Sequence, residues 1–274
     1  MGSRINLFAD DIALYRIITS PDDYVALQSD VNGIDSCLTS KYLTLNPKKC
    51  CSLFISRKQT RSIPPPCLTL GLSPLSQVTS YKYLGLLITS DLMWTTHITK
   101  ICTKTRKLIG ILYRQFYKYS SCSTLLKLYA SFIRPHLEYA SAAWDPHLKK
   151  DIELIEDVQK FALKVCLKSW NSTYVELLEK SHLPTLEARR KDAKLCHMYK
   201  IVNNETFFPN APTLTRNQNY SSRSIHPKAL IPLQAHSSQY LHSFFPSTIT
   251  AWNSLPSVAA SASSITSFKS ALKH

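Results

Sequence analysis

Glycine is scarce, with five residues in 274 against 15 prolines, which excludes a collagen-like chain and Gly-rich low complexity. No stretch approaches the roughly 18 uninterrupted apolar residues of a membrane span. Met1-Gly2-Ser3-Arg4 opens the chain without an apolar signal region. A membrane-spanning or secreted protein is therefore not expected, and the expected location is intracellular, nuclear or cytoplasmic. C-x-x-C pairs are also missing. The eight cysteines, Cys37, Cys50, Cys51, Cys67, Cys102, Cys122, Cys166 and Cys196, are scattered without zinc-finger spacing, so free buried thiols are expected, not a disulfide framework or thiolate metal site. What the chain does have is 44% hydrophobic and 19% charged residues, ordinary for a protein that buries a core. Its length suits one large domain or two or three small ones.

Acid is the scarcer charge. Lys and Arg number 33 against 18 Asp and Glu, giving a net charge of +15 and a pI near 9.5. Residues 101–200 are the most cationic third, and no acid at all occurs between Asp91 and Glu138. In that interval Lys100, Lys104, Arg106, Lys107, Arg114, Lys118, Lys127 and Arg134 alternate with Tyr113, Phe116, Tyr117, Tyr119, Tyr129 and Phe132. Clustered cations displace counterions from a phosphate backbone, and aromatic faces stack on bases. A pair of amphipathic helices with core aromatics and solvated lysines would leave the same pattern.

Residues 5–8 and 12–18 are two apolar, β-prone runs around Ala9-Asp10-Asp11, predicting a hairpin with carboxylates at its tip. Ser20-Pro21-Asp22-Asp23 then supplies a helix start, and Leu27, Val31, Ile34 and Leu38 follow at helical spacing, predicting one buried face. Residues 50–56 read as a strand, 57–66 as a loop ending in three prolines, and 67–72 and 81–88 as short strands. Helices are predicted over 94–118, over 123–133 with a stop at Pro135, from about residue 150 to Cys166, and over 184–202. Asp151, Glu153, Glu156 and Asp157 read as the solvated start of the third helix, and Asp145 as part of a turn. Beyond Glu205 the chain is Ser/Thr/Pro-rich and irregular, with Phe244, Phe245, Trp252 and Leu255 as points where it docks.

The chemistry on offer lies in the paired carboxylates. Asp10 and Asp11 at a tight turn present oxygen ligands suited to a hard divalent cation such as Mg2+, and two-metal nucleotidyl transfer uses such a site. Acidic pairs are also common in turns for purely conformational reasons.

Leu7-Phe8-Ala9-Asp10-Asp11 followed by Ile12-Ala13-Leu14-Tyr15 resembles the catalytic hairpin of reverse transcriptases, in the form used by non-LTR (LINE-type, jockey-like) retrotransposons. Leu43-Thr44-Leu45-Asn46-Pro47-Lys48-Lys49-Cys50 is similar to the family's Leu-Asn-x-x-Lys segment, and Tyr83-Leu84-Gly85 to its primer-grip strand. Trp94 with His97-Ile98, Arg134-Pro135-His136-Leu137-Glu138-Tyr139 and Trp144-Asp145-Pro146 resemble thumb and post-thumb segments. Ser243-Phe244-Phe245-Pro246 and Trp252-Asn253-Ser254-Leu255-Pro256 resemble the C-terminal end.

The resemblance implies an α+β fold: an incomplete polymerase palm over residues 1–90, a helical basic thumb over 91–148, a helical post-thumb region over 149–205 and a C-terminal segment over 206–274. It implies RNA-directed DNA polymerase activity with Mg2+ as cofactor and an RNA/DNA template–primer as partner. Asp10 would be a metal ligand and Asp11 its acidic neighbour, and Lys49 would protonate pyrophosphate. Tyr83, Leu84 and Gly85 would hold the primer end, and Lys100, Lys104, Arg106, Lys107, Arg114 and Lys118 would track the nucleic-acid backbone. In the family, the fingers and the first palm aspartate come before this hairpin, whereas nine residues precede Asp10 here. The expectation is a C-terminal fragment that is inactive alone and has an open sheet edge for a partner chain supplying the missing palm and fingers. A non-catalytic nucleic-acid-binding module and an unselected remnant of a mobile element are the alternatives.

Overall fold

The computed structural model describes residues 2–56, 66–206, 208, 211–216 and 226–272. It is mixed α and β. The chain divides into two compact units, residues 1–93 and 94–274.

The first unit opens with β1 (Arg4–Phe8) and β2 (Asp11–Tyr15), paired antiparallel with Phe8 opposite Asp11 and Arg4 opposite Tyr15. Helix α1 (Pro21–Thr39) follows, starting on a proline whose missing N–H costs nothing in the first turn. Asp23 locks this start by accepting from the Thr19 and Ser20 N–H groups at 2.9 and 3.0 Å and from Arg16 Nε at 3.0 Å. Short strands complete the unit: β3 (Cys51–Leu53) parallel to β6 (Ser76–Val78), β4 (Thr69–Leu70) with β5 (Ser73–Pro74), and β7 (Ser80–Tyr83) with β8 (Leu86–Thr89). Gln28 of α1 substitutes for a strand neighbour, accepting from Thr69 N–H and donating to Thr69 C=O, both at 2.8 Å.

Several expectations are corrected in this unit. Instead of one partial palm sheet, the described strands form four separate two-stranded pieces. Strands of two to five residues bury too little side chain to hold a broad sheet. Leu70 and Leu87 are the only apolar side chains of the described part of the unit that are fully buried. Leu27, Val31, Ile34 and Leu38 do line one face of α1, but they are half-buried at most, so that face is not a core. The strands predicted over 50–56 and 67–72 shrink to Cys51–Leu53 and Thr69–Leu70. The predicted loop 57–66 lies outside the described residues except for Pro66.

The second unit is helical and properly cored. Helix α2 (Thr95–Phe116) packs on α6 (Lys149–Cys166), with α3 (Cys122–Leu128) against α6 and α4 (Arg134–Glu138) against α2. Ile98, Cys102, Thr105, Ile109 and Leu112 make the buried stripe of α2, a run at the 3.6-residue period. Pro135 does not end the helical path as predicted. Between α3 and α4 the chain widens into a π-helical turn, Tyr129–Ile133, and Pro135 sits in the first turn of α4, where no N–H is needed. Helix α5 (Ser141–Trp144), α7 (Tyr174–Ser181) and α8 (Leu186–Val202) follow.

The segment after Glu205 is more ordered than its composition suggests. Helices α9 (Ser238–Leu241), α10 (Phe244–Asn253), α11 (Ser257–Ala260) and α12 (Ile265–Leu272) form, and α10 and α12 pack on α8. Leu230, Ile249, Trp252 and Phe268 close a buried cluster with Leu195, Met198 and Tyr199. The Trp252 indole N–H donates to the Lys228 carbonyl at 2.9 Å.

The expected solvated acids of α6 are corrected in two cases. Asp151 is buried and accepts from the Thr95 hydroxyl at 2.7 Å, while Glu156 accepts from Leu186 N–H at 3.2 Å and Glu187 N–H at 2.7 Å, holding the start of α8. Asp145, expected in a turn, is also an ion-pair hub, bound by Arg190 and Lys194 of α8. All described cysteines are free, but only Cys102 and Cys166 are fully buried, and Cys37 and Cys67 are exposed. Burial pushes the two buried thiols up to about 11 and about 12, which leaves them protonated and inert.

Candidate functional site

The carboxylate hairpin is tighter than the sequence suggests. Ala9 and Asp10 alone form the loop, and Asp11 is already the first residue of β2. Ala9 holds φ at 53°, a left-handed value that suits a two-residue hairpin and strains any residue with a Cβ. Both carboxylates are exposed. Strand β1 is exposed along its whole length, including Ile5, Leu7 and Phe8.

Tyr83-Leu84-Gly85 does not form a continuous strand. Tyr83 ends β7 opposite Leu86, and Leu84 and Gly85 make a two-residue turn with φ of 45° and 86°. Positive φ at both loop positions is the geometry that twists a hairpin correctly, and it explains Gly85 without any appeal to a ligand. Lys49 is exposed on a turn whose N–H groups at Lys49 and Cys50 bond to the Asn46 carbonyl.

Sequence reasoning missed Tyr81 of β7. Partial burial raises its phenol above the ordinary value, and Cys51, Asp11 and Cys50 raise it further. Strand alternation alone carries no signal for it, since these groups come from distant parts of the chain.

Asp10 and Asp11 are suitable oxygen ligands for one side of a hard divalent ion. Among the described residues, however, no group of three or more His, Cys, Asp or Glu side chains converges to hold a metal. Two exposed carboxylates do not fit a Mg2+ pair by themselves, because nothing on this chain's described surface bridges two ions.

The cations of the second unit form an ordered array. Lys100, Lys104, Lys107, Arg114 and Lys118 follow one another at helical spacing along α2 and its end, and all are exposed, as is Arg106 beside them. Lys100, Lys104, Lys107 and Arg114 each lie two positions past a core residue, Ile98, Cys102, Thr105 and Leu112, about 200° around the helix, so this part of the stripe faces away from the core. Among the described residues none of these six cations is ion-paired, and the 22-residue helix contains no acid. Lys104 approaches His136 Nδ1 at 3.4 Å. Burial, with help from Lys104, holds His136 below its ordinary pKa, so it adds no charge near neutrality.

No protein-family model matches the chain, and neither a curated protein nor a solved structure matches it. Among the described residues no helix is long and apolar enough to cross a membrane. The candidate sites thus fall into two sets, the hairpin groups of the first unit and the cationic stripe of the second.

Proposed function

We propose that this chain is the C-terminal part of an RNA-directed DNA polymerase of the non-LTR retrotransposon type, and that it binds a template–primer of RNA and DNA. The observation that carries the reading is the hairpin: Phe8-Ala9-Asp10-Asp11 closes in a strained two-residue loop that projects two carboxylates from a paired strand. The sequence landmarks in family order, through to Trp252-Asn253-Ser254-Leu255-Pro256, support it.

In this reading Asp10 and Asp11 are half of a Mg2+ site. Lys49 is the proton donor to the leaving pyrophosphate, and the β7–β8 turn at Tyr83, Leu84 and Gly85 approaches the primer end. The α2 stripe tracks the phosphate backbone, where unpaired cations gain most from counterion release. The reaction requires a further carboxylate, brought by another segment or chain together with the fingers. Exposed β1 offers that partner an apolar edge.

Primer extension tests the reading. The chain alone, with template–primer, Mg2+ and dNTPs, gives no extension, whereas the same chain joined to a fingers-and-palm segment of this polymerase type extends the primer and loses that activity on Asp10→Ala. Extension by the chain alone that disappears on Asp10→Ala would show that its own residues complete the site. If the joined protein shows no Asp10-dependent extension, the polymerase reading fails.

A second reading is a nucleic-acid-binding module without catalysis, and the unpaired stripe on α2 favours it. It requires salt-dependent binding that is indifferent to Asp10.

A further inference from the structure

Away from the stripe, the end of α2 meets the loop after α6, where aromatic rings and cations gather on the surface. Tyr113 and Tyr117, one turn apart on α2, have ring centroids 4.6 Å apart. Trp170 stands edge-on to Tyr113 at 6.3 Å and donates its indole N–H to the Tyr117 hydroxyl at 3.3 Å. Lys168 Nζ sits 5.2 Å from the Tyr117 ring centre. Trp170 and Tyr113 are nevertheless 44% and 43% exposed.

The loop that carries Trp170 is firmly built. Helix α6 ends with Lys168 in the left-handed region at φ 54°, Lys168 N–H on the Val165 carbonyl at 3.3 Å and Ser169 N–H on the Lys164 carbonyl at 3.1 Å. These bonds close the helix in the Schellman manner. The Ser169 and Ser172 hydroxyls, 2.6 Å apart, tie the loop across its base. The indole is therefore held in place with its N–H already used, and its exposed face is what remains to bind.

Charge decides the ligand class. The patch draws on two stretches with no acid, 92–137 and 158–175, and its own cations, Lys164 and Lys168, belong to the second. Exposed rings beside the Lys168 ammonium, in stretches without acid, match a base with its phosphates. Bases inside a duplex show only their edges in the grooves, so away from duplex ends a ring face can stack only on an unpaired base.

We propose that Trp170, backed by Tyr113 and Tyr117 and flanked by Lys168, is a stacking platform for single-stranded nucleic acid, separate from the α2 stripe. The choice of nucleic acid agrees with the thumb reading above and rests on it in part, but the experiment separates the two.

The probes are an oligothymidylate of about twelve nucleotides, within the usual single-strand site size, and a long duplex of random sequence in which end faces are few against the groove sites. Trp144 and Trp252 are fully buried, and Trp94 is partly exposed at the start of α2, so oligothymidylate is expected to quench indole emission of the full chain and most of that quenching should be lost in Trp170→Phe. Trp170→Ala should weaken oligothymidylate binding about tenfold, Trp170→Phe should retain most of it, and both should leave duplex binding and the thermal transition unchanged. Tyr113→Ala, which removes the ring edge-on to Trp170, should also weaken oligothymidylate selectively. The platform is wrong if Trp170→Ala leaves oligothymidylate binding within about twofold, or weakens oligothymidylate and duplex equally. Competition by polyglutamate as strong as that by oligothymidylate also overturns it, because it would make the ligand an acidic protein segment. Failure of the thumb reading looks different: Lys100→Gln, Lys104→Gln and Lys107→Gln together would leave duplex binding and its salt dependence unchanged, while the Trp170 effect persists.

Discussion

Arg190 donates from Nε to Asp145 Oδ1 at 2.9 Å with its side chain wholly buried, and Lys194 Nζ holds the other oxygen, Oδ2, at 2.6 Å. One carboxylate at the end of α5 thus fastens two cations from successive turns of α8. Neutralising it leaves a buried guanidinium without a counter-ion. Asp145→Asn is expected to destabilise the helical unit by about 3–5 kcal/mol, read as a fall in denaturation midpoint, and Asp145→Glu should recover part of the loss.

Gln159 is a second buried junction, in the middle of α6. It accepts from the Tyr129 hydroxyl at 2.8 Å and donates to the Tyr174 hydroxyl and the Pro184 carbonyl, each at 3.0 Å. Tyr174 donates onward to Glu156, which caps α8. Gln159→Leu keeps the volume and strands those groups, so a loss of about 2–4 kcal/mol is expected in chemical denaturation. Tyr129→Phe combined with Gln159→Leu should cost less than the sum of the two single changes, because the hydroxyl is then no longer left unpaired.

The C-terminal segment contributes core, not covering. Trp252 is fully buried, stands edge-on to His226 and packs with Phe268. Trp252→Ala is expected to cost about 3–5 kcal/mol, and calorimetry should show the loss in the transition of the helical unit.

Asp23 makes the start of α1 acid-sensitive. The Thr19 N–H, the Thr19 hydroxyl, the Ser20 N–H and Arg16 all favour its ionised form, holding the carboxyl well below the ordinary range. A depressed folded-state pKa means that the contribution is complete above the ordinary carboxylate range and is lost as pH falls below about 4. Amide protection factors in the first turns of Pro21–Thr39, taken relative to the intrinsic exchange rate at each pH, should fall in that window, and Asp23→Asn should lower them already at neutral pH.

For the cationic stripe, the salt dependence of duplex binding is the informative quantity. Lys100→Gln, Lys104→Gln and Lys107→Gln should each lower the slope of log affinity against log salt by roughly 0.9, and Asp10→Ala should leave it unchanged. A slope unmoved by all three would place the phosphate contacts elsewhere on the chain.

Local pattern was enough to find the long helices. The buried stripe of α2, the spacing of Ile155, Ala162 and Cys166 along α6 and the proline start of α1 are all readable because a 3.6-residue period repeats over several turns. The hairpin was legible for a related reason: two short apolar runs flank a two-residue turn. The short strands were less so. A pair such as Thr69–Leu70 with Ser73–Pro74 carries no period at all, and the widening at Tyr129–Ile133 depends on Pro135 being accommodated, not on its usual effect of stopping a helix.

Net charge, the acid-free interval after Asp91, the carboxylate pair at Asp10 and Asp11 and the helical periods are properties of residue order alone and were legible without a fold. Only the tertiary structure decided which acids are solvated and which are structural, as with Asp145, Asp151 and Glu156, and which rings are exposed, as with Trp170 and Tyr113. It also decided that the polar, Ser-rich tail closes a core on α8. The physical reason is that a side chain's solvation and charge partners depend on residues 40 or more positions away, such as Asp145 and Arg190, which meet only when the helices pack.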